Sequence, residues 1–232
     1  MCGRVVTPSD RAIEAYWHIG SRNSGRWIQS YNAAPTTIVP MVKLGDDGEP
    51  EVIAARWGLI PFWWKQAKPP ALSFNARSEE AATKPMWRQS LRTHRCIMPV
   101  AGWYEWNEHQ QVRNRSGRLV NQPYYHHATD DGLLAIAGLW STWTGPEAQD
   151  VVSCALLTKE AAPSVAHIHH RMPVILHPEQ WDSWLSPKTP NEHVQLAIAF
   201  PREDFTAHPV TTDVGNTRND YPELLEPVAV AS

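Results

Sequence analysis

Leu133-Leu134-Ala135-Ile136-Ala137-Gly138-Leu139-Trp140 and Val151-Val152-Ser153-Cys154-Ala155-Leu156-Leu157-Thr158 are the two most apolar short runs of the chain. Both are of strand length, and turn residues lie between them. Pro123 to His127, just upstream, reads as a third strand, and Arg95 to Val100 as a fourth with Cys96 in the core. Thr37 to Val42 and Glu51 to Trp57 form a hairpin across Gly45-Asp46-Asp47-Gly48. Together these runs predict a mainly antiparallel sheet or an open β-barrel. Helical spacing is confined to short flanking pieces. Ile13, Tyr16, Trp17 and Ile19 form one apolar stripe, capped by Ser9 or Asp10. Ser78 caps a second helix, Met86 to Thr93 is a third, Trp181, Trp184 and Leu185 mark a fourth, and Pro190 to Ala199 a fifth. Twenty prolines keep these elements short. Ser30 to Thr36 reads as turn chemistry, and the polar stretch His109 to Asn121 as an exposed loop. The expected architecture is therefore α+β, a single domain over residues 1–232 with short helices around a β core.

The formal charge of −3 excludes a protein that coats nucleic acid over its whole surface, and leaves room only for a local basic patch. Three cysteines, Cys2, Cys96 and Cys154, are an odd number without CxxC spacing, which argues against a disulfide framework or a zinc finger. No signal peptide opens the chain and no apolar run approaches the ~20 residues that span a bilayer. A soluble cytoplasmic protein with no membrane partner is expected.

Three stretches carry chemistry. The first is Met1-Cys2-Gly3-Arg4. Removal of Met1 would leave the amine and thiol of Cys2 two carbons apart, a 1,2-aminothiol, whose natural target is an aldehyde: imine formation, then closure by sulfur to a thiazolidine. Cys2 is equally a small second residue that permits routine loss of Met1. The second is Ala101-Gly102-Trp103-Tyr104-Glu105-Trp106. Strand alternation puts Trp103 and Glu105 on one face and Tyr104 and Trp106 on the other, so the Glu105 carboxylate lies against aromatic surface, a setting suited to general acid/base work. A solvated, idle glutamate at a sheet rim is the plain alternative. The third is His167-Ile168-His169-His170-Arg171-Met172-Pro173. Three histidines invite a metal, but no further ligand cluster stands at a usual spacing, and a single catalytic histidine beside an arginine suits the pattern better. Adjacent Trp63 and Trp64 point opposite ways if extended, which leaves one exposed as a platform for stacking bases of single-stranded nucleic acid; the alternative is that both are tucked into the surface of a large core.

Taken in order, Met1-Cys2-Gly3-Arg4, Tyr31-Asn32-x-Ala34-Pro35, Trp57-Gly58-Leu59-Ile60-Pro61, Asn75-Ala76-Arg77-x-Glu79, Arg95-Cys96-Ile97, Gly102-Trp103-Tyr104-Glu105-Trp106, Ile168-His169-x-Arg171-Met172-Pro173 and Val214-Gly215-Asn216 resemble the SOS-response-associated peptidase family, the abasic-site-processing proteins. The blocks cover almost the whole chain. The resemblance implies loss of Met1, by the protein's own action or by another enzyme, and capture of the open-chain aldehyde of an abasic site in single-stranded DNA as a thiazolidine cross-link, in DNA repair at replication. It implies Cys2 as nucleophile, Asn75 as a hydrogen-bonding anchor, Glu105 as proton shuttle and His169 as the acid that protonates the sugar oxygen. Arg4, Arg77 and Arg171 are implied as phosphate contacts, with Trp63, Trp64 and Trp106 as stacking or wedging surfaces. No cofactor or metal is implied.

The expected partner is single-stranded DNA with abasic sites, with replication-fork proteins as further candidates, and the protein is expected to act as a monomer, nucleoid-associated when bound. Lyase-like activity is compatible with the same chemistry. One departure stands out: the family commonly has Asp after the catalytic histidine, and this chain has His170. Two other functions remain open on the residues alone: a cysteine peptidase or amidohydrolase of the N-terminal-nucleophile type, and a non-catalytic reader of single-stranded or modified DNA.

Overall fold

The computed structural model describes residues 2–17, 27–71 and 73–229. Val5–Thr7 (β1) leads into the helix Asp10–Trp17 (α1), where the Ser9 hydroxyl accepts from the Ala12 N–H at 3.2 Å as the expected cap. Ile13 is its buried anchor; the Ile19 end of the predicted stripe lies outside the described residues. The stretch from Ser30 is not simply a turn: Ser30–Ala33 is a strand (β2) paired antiparallel with β1, and the turn follows at Thr36, with φ at 79°. Its polar side chains are held internally instead of by solvent. The Thr7 hydroxyl accepts from the Ser30 N–H and the Asn32 amide donates to the tail, so turn-type residues are satisfied within a strand.

Ile38–Leu44 (β3) and Pro50–Trp57 (β4) make the predicted hairpin. After the aromatic loop come Asn75–Arg77 (β5) and the short helices Ser78–Ala81 (α2) and Arg88–Thr93 (α3), followed by Arg95–Val100 (β6). Arg77 occupies the N-cap of α2 and Ser78 is its first residue, so the predicted Ser78 cap stands one position inside the helix. Gly102–Arg113 (β7) and Leu119–Ala128 (β8) form one long antiparallel ribbon. The expected loop over His109 to Asn121 is therefore a correction. Its polarity reflects a two-stranded ribbon solvated on both faces, turned tightly where the Asn114 side chain accepts from the Ser116 and Arg118 N–H groups.

Leu134–Thr144 (β9) and Asp150–Glu160 (β10) are the two apolar runs that anchor the fold. Arg171–Pro173 (β11), Trp181–Leu185 (α4), Asn191–Ala199 (α5) and Phe205–Pro209 (β12) complete the order.

β10 decides the closure. It pairs antiparallel with β9 from Asp150↔Thr144 to Leu156↔Gly138, and on its other edge parallel with β4 at Ser153↔Arg56 and Cys154↔Trp57. With β4–β3–β6–β9 already joined, this closes a five-stranded barrel, so the expected α+β fold with a mainly antiparallel β core stands, its barrel closed where a sheet or an open barrel was expected. A second, five-stranded sheet runs β12–β8–β7–β1–β2.

Period-two alternation assigns the cores. Cys96, Met98 and Val100 of β6 join Cys2 and Val5, Trp103 and Phe205 of the second sheet, in one apolar cluster, Cys2 lying just before that sheet's β1, while Ile97 faces Ile13, Leu91 and Trp184 of the helices. The outer face of the second sheet carries Val6, Tyr104 and Tyr125 under the tail residues Val214 and Leu224. β7 and β8 approach closely because Gly102 has no side chain: a Cβ there would lie 2.2 Å from the His126 carbonyl oxygen.

Candidate active site

Four of the predicted residues converge where the second sheet meets the barrel. Cys2 precedes β1 and is completely buried; Glu105, on β7, is 2% exposed. Asn75 opens β5 and His169 stands two residues before β11. Both of those short strands hydrogen-bond to β10, β5 through Leu156–Thr158 and β11 through Thr158–Glu160. One long strand thus presents the Asn75 and His169 arms together.

The contacts are specific. The Asn75 side-chain N–H donates to the Cys2 carbonyl oxygen at 2.8 Å. His169 Nε2 lies 3.9 Å from Glu105 Oε2. On the other side of the ring, the Arg171 backbone N–H donates to His169 Nδ1 at 3.0 Å. That N–H pairs with an unprotonated Nδ1, the tautomer that carries the proton on Nε2, on the side of Glu105. The Arg171 carbonyl oxygen lies 3.1 Å from the same Nδ1 and accepts from it when Nδ1 is protonated, in the other neutral tautomer or in the imidazolium. The Asn75 side-chain oxygen is buried and finds no hydrogen-bond donor among the described residues.

Burial dominates the electrostatics. It pushes the Cys2 thiol well above its ordinary range, and the adjacent Glu105 carboxylate pushes in the same direction. Burial also lowers His169 below its ordinary 6.5, partly opposed by Glu105. His170 stacks on the His169 ring with centroids 4.5 Å apart, occupying the position where a carboxylate was expected.

The remaining predicted residues divide. Arg4 and Trp106 lie on the outer face of the second sheet. Arg4 donates to the Asn32 side-chain oxygen at 2.8 Å and to the Val214 carbonyl at 2.6 Å, with its carbon 5.8 Å from the Trp106 ring centroid. Strand alternation separates Trp106 from Glu105, as predicted; Arg4, two residues from Cys2, reaches the outer face because the chain before β1 is not strand, and this was not foreseen. Arg77 is exposed at the end of β5. Trp63 is 41% exposed, whereas Trp64 is half-buried, its indole N–H donating to the Lys68 carbonyl at 2.8 Å. Arg171 is largely buried and paired with Glu79.

One participant near the site was missed. His126, on β8, stacks on Trp103 at 4.6 Å and is held neutral by burial, its pKa down to about 3. The strand Pro123 to His127 was legible, and alternation against Trp103 was the available signal. Because His126 takes up a proton in the unfolded chain near its ordinary 6.5 but not in the folded one until about 3, the unfolded state binds more protons through that window. Stability must fall on acidification from pH 6.5 towards 3, by at most about 1.4 kcal/mol per pH unit from this group. The His126→Gln variant should show a flatter dependence of Tm on pH between 4 and 6.5; parallel curves would refute the assignment.

Comparison with known proteins follows this geometry. The chain matches the profile of the SOS response associated peptidase (SRAP) family over residues 1–217. It is 33% identical over 230 residues to the abasic site processing protein YoqW of Bacillus subtilis (strain 168), covering 97% of this chain and 99% of that one. It is 31% identical over 238 residues to the abasic site processing protein HMCES of Pongo abelii, covering 89% of this chain and 67% of that protein. A crystal structure of a Bacteroides thetaiotaomicron protein shares the fold with a TM-score of 0.81 at 22% identity, over 98% of this chain and 100% of that one. With the family profile matched from the first residue to Thr217 and the likeness to YoqW running the length of both proteins, this chain belongs to the SOS response associated peptidase family.

Proposed function

We propose that this protein recognises abasic sites in single-stranded DNA and captures them through Cys2, once Met1 is removed, as a thiazolidine. The observation that carries the proposal is the convergence of Cys2, Asn75, Glu105 and His169 in one buried cluster. The abasic-site processing named for YoqW and HMCES supports the substrate.

The chemistry is ordered by the protonation states. The Cys2 thiol is desolvated and neutral in the folded protein, so sulfur is the second nucleophile and the α-amine the first. The amine attacks the aldehyde carbon. A proton passes from nitrogen to oxygen to give the neutral carbinolamine; neutral His169 then takes the remaining N–H proton and, as imidazolium, delivers it to the departing hydroxyl, so that water leaves, a neutral imine remains and the ring is neutral again. Sulfur then adds to the imine carbon while the thiol proton passes through Glu105 to nitrogen, and the ring closes with atoms and charge balanced. The Asn75 amide fixes the Cys2 backbone, which restricts the amine to one approach.

Exposed Arg77 is suited to phosphate, and exposed Trp63 to stacking on an unpaired base. Recognition by aldehyde and backbone needs no base-edge contact, so little sequence preference is expected.

The test is a denaturing gel of the protein with a single-stranded oligonucleotide carrying one abasic site, beside the intact oligonucleotide, after mass spectrometry confirms loss of Met1. A shifted band only on the abasic strand is expected. Its absence with correctly processed protein sinks the proposal.

A further inference from the structure

The Arg171 guanidinium makes a two-point pair with Glu79, Nη1 to Oε1 at 2.7 Å and Nη2 to Oε2 at 2.9 Å. Its Nη2 also donates to the Thr158 carbonyl oxygen at 2.7 Å. These contacts join three elements. Glu79 lies in α2, which continues directly from Asn75 and β5; Arg171 opens β11; and Thr158 is the β10 residue registered with Arg77 on one edge and Pro173 on the other. The Arg171 backbone, in turn, supplies both the N–H and the carbonyl that face His169 Nδ1. The Arg171 side chain is only 11% exposed, against 51% for Glu79.

We infer that Glu79 is a positioning residue for His169: by clamping Arg171 across Thr158 it holds the His169 arm against the Asn75 arm and keeps the imidazole buried beside Glu105 with Nδ1 on the Arg171 main chain. The pair belongs to the kind that is worth most, a bidentate fork between a planar guanidinium and a carboxylate. Consistent with the geometry, the Arg171 hydrogen bonds hold the Glu79 carboxyl below its ordinary range. The brace does not touch the reacting atoms. Its effect is transmitted through the Arg171 main chain.

The sign of one measurement distinguishes this role from simple electrostatics. The charged and titratable groups around His169 are Glu105 on β7, the N-terminal amine, Cys2 before β1, His126 on β8, and His167, His170 and Arg171 near it in the chain. Removing the Glu79 charge while leaving the arm in place would disfavour the imidazolium and lower the titration of His169 further. Releasing the arm would expose the ring to water and raise its titration toward the ordinary 6.5, since burial is the main cause of its depression.

The experiment is an NMR titration of the His169 imidazole in wild-type protein, Glu79→Ala and Glu79→Gln, with single-turnover adduct formation on the abasic oligonucleotide as a second readout. An upward shift of the His169 titration in Glu79→Ala is expected, smaller in Glu79→Gln, which retains a hydrogen bond to Arg171. Adduct formation by Glu79→Ala should slow about ten-fold, as for a catalytic group displaced by a fraction of an ångström. An unchanged or downward titration overturns the inference. The adduct readout alone rests on the proposed cross-linking. If wild type forms no adduct, that proposal fails while the titration still decides the brace.

Discussion

Cys2→Ala, with Met1 removed, will leave no denaturant-resistant adduct on an abasic strand, a fall of more than about 10³ in yield-limited rate. Alanine keeps the α-amine and loses only the thiol. The amine of this variant should still form an imine, but nothing closes on it, and the imine hydrolyses on denaturation. Borohydride added before denaturation should therefore restore a shifted band for Cys2→Ala, because it reduces the imine to a stable amine. The comparison separates the two nucleophiles that one residue supplies. A trapped band in Cys2→Ala with none in its absence places the amine first and the sulfur second, the order argued from the desolvated thiol. A stable band without reductant would show that sulfur is dispensable, and failure of the trap would show that the amine is not the attacking group. Cys2 is completely buried, so its stability against unfolding should be measured beside these yields.

Glu105→Gln is expected to slow adduct formation by about 10² to 10³, the usual range for loss of a positioned acid or base. The variant is nearly isosteric and its site is buried, so shape is retained. A second, opposed effect accompanies the loss. The Glu105 carboxylate is one of the causes that raise the Cys2 thiol, after burial itself. Its replacement by an amide should bring the thiol down toward its ordinary range, visible as earlier onset of thiolate absorbance on raising pH. A more acidic thiol together with a slower reaction identifies Glu105 as a carrier of protons; electrostatic preparation of thiolate would give the reverse. Unchanged kinetics in Glu105→Gln would remove the residue from the mechanism. The same variant should also alter the titration of His169, whose proton Glu105 favours across 3.9 Å.

The elements of the fold were legible where a run had one environment per face. β6, β9 and β10 are apolar enough to read as buried strands, and the hairpin of β3 and β4 follows from its glycine turn. Alternation correctly divided Trp103 and Glu105 from Tyr104 and Trp106. The two misread stretches fail for one reason. Ser30–Ala33 and the ends of β7 and β8 are rich in polar residues, and polarity reports what a side chain meets, not what its backbone pairs with. In β2 the polar groups are answered by Arg4, Thr7 and the tail; in the ribbon they are exposed or answered locally, as Asn114 is by the Ser116 and Arg118 N–H groups.

For the site, local chemistry singled out Cys2, Glu105 and the histidine segment, and the family resemblance added Asn75 and the arginines. The amino-acid sequence by itself determined the residue types: an aminothiol in prospect at position 2, a carboxylate among aromatics, an imidazole beside an arginine, and a β-rich chain of short elements. Tertiary structure alone decided which of them meet. β10 pairs with β5 and β11 along one segment and thereby brings Asn75 and His169 to Cys2 and Glu105, while alternation along β7 turns Trp106 to the other face and the Val214 carbonyl and Asn32 hold Arg4 there. It also decided that Arg171 is spent on Glu79 and that the thiol is desolvated. Chemical identity is a property of one residue and is written in the chain. Distance, burial and the proton affinities that follow from them belong to pairs of residues far apart in sequence, and exist only once the strands have closed.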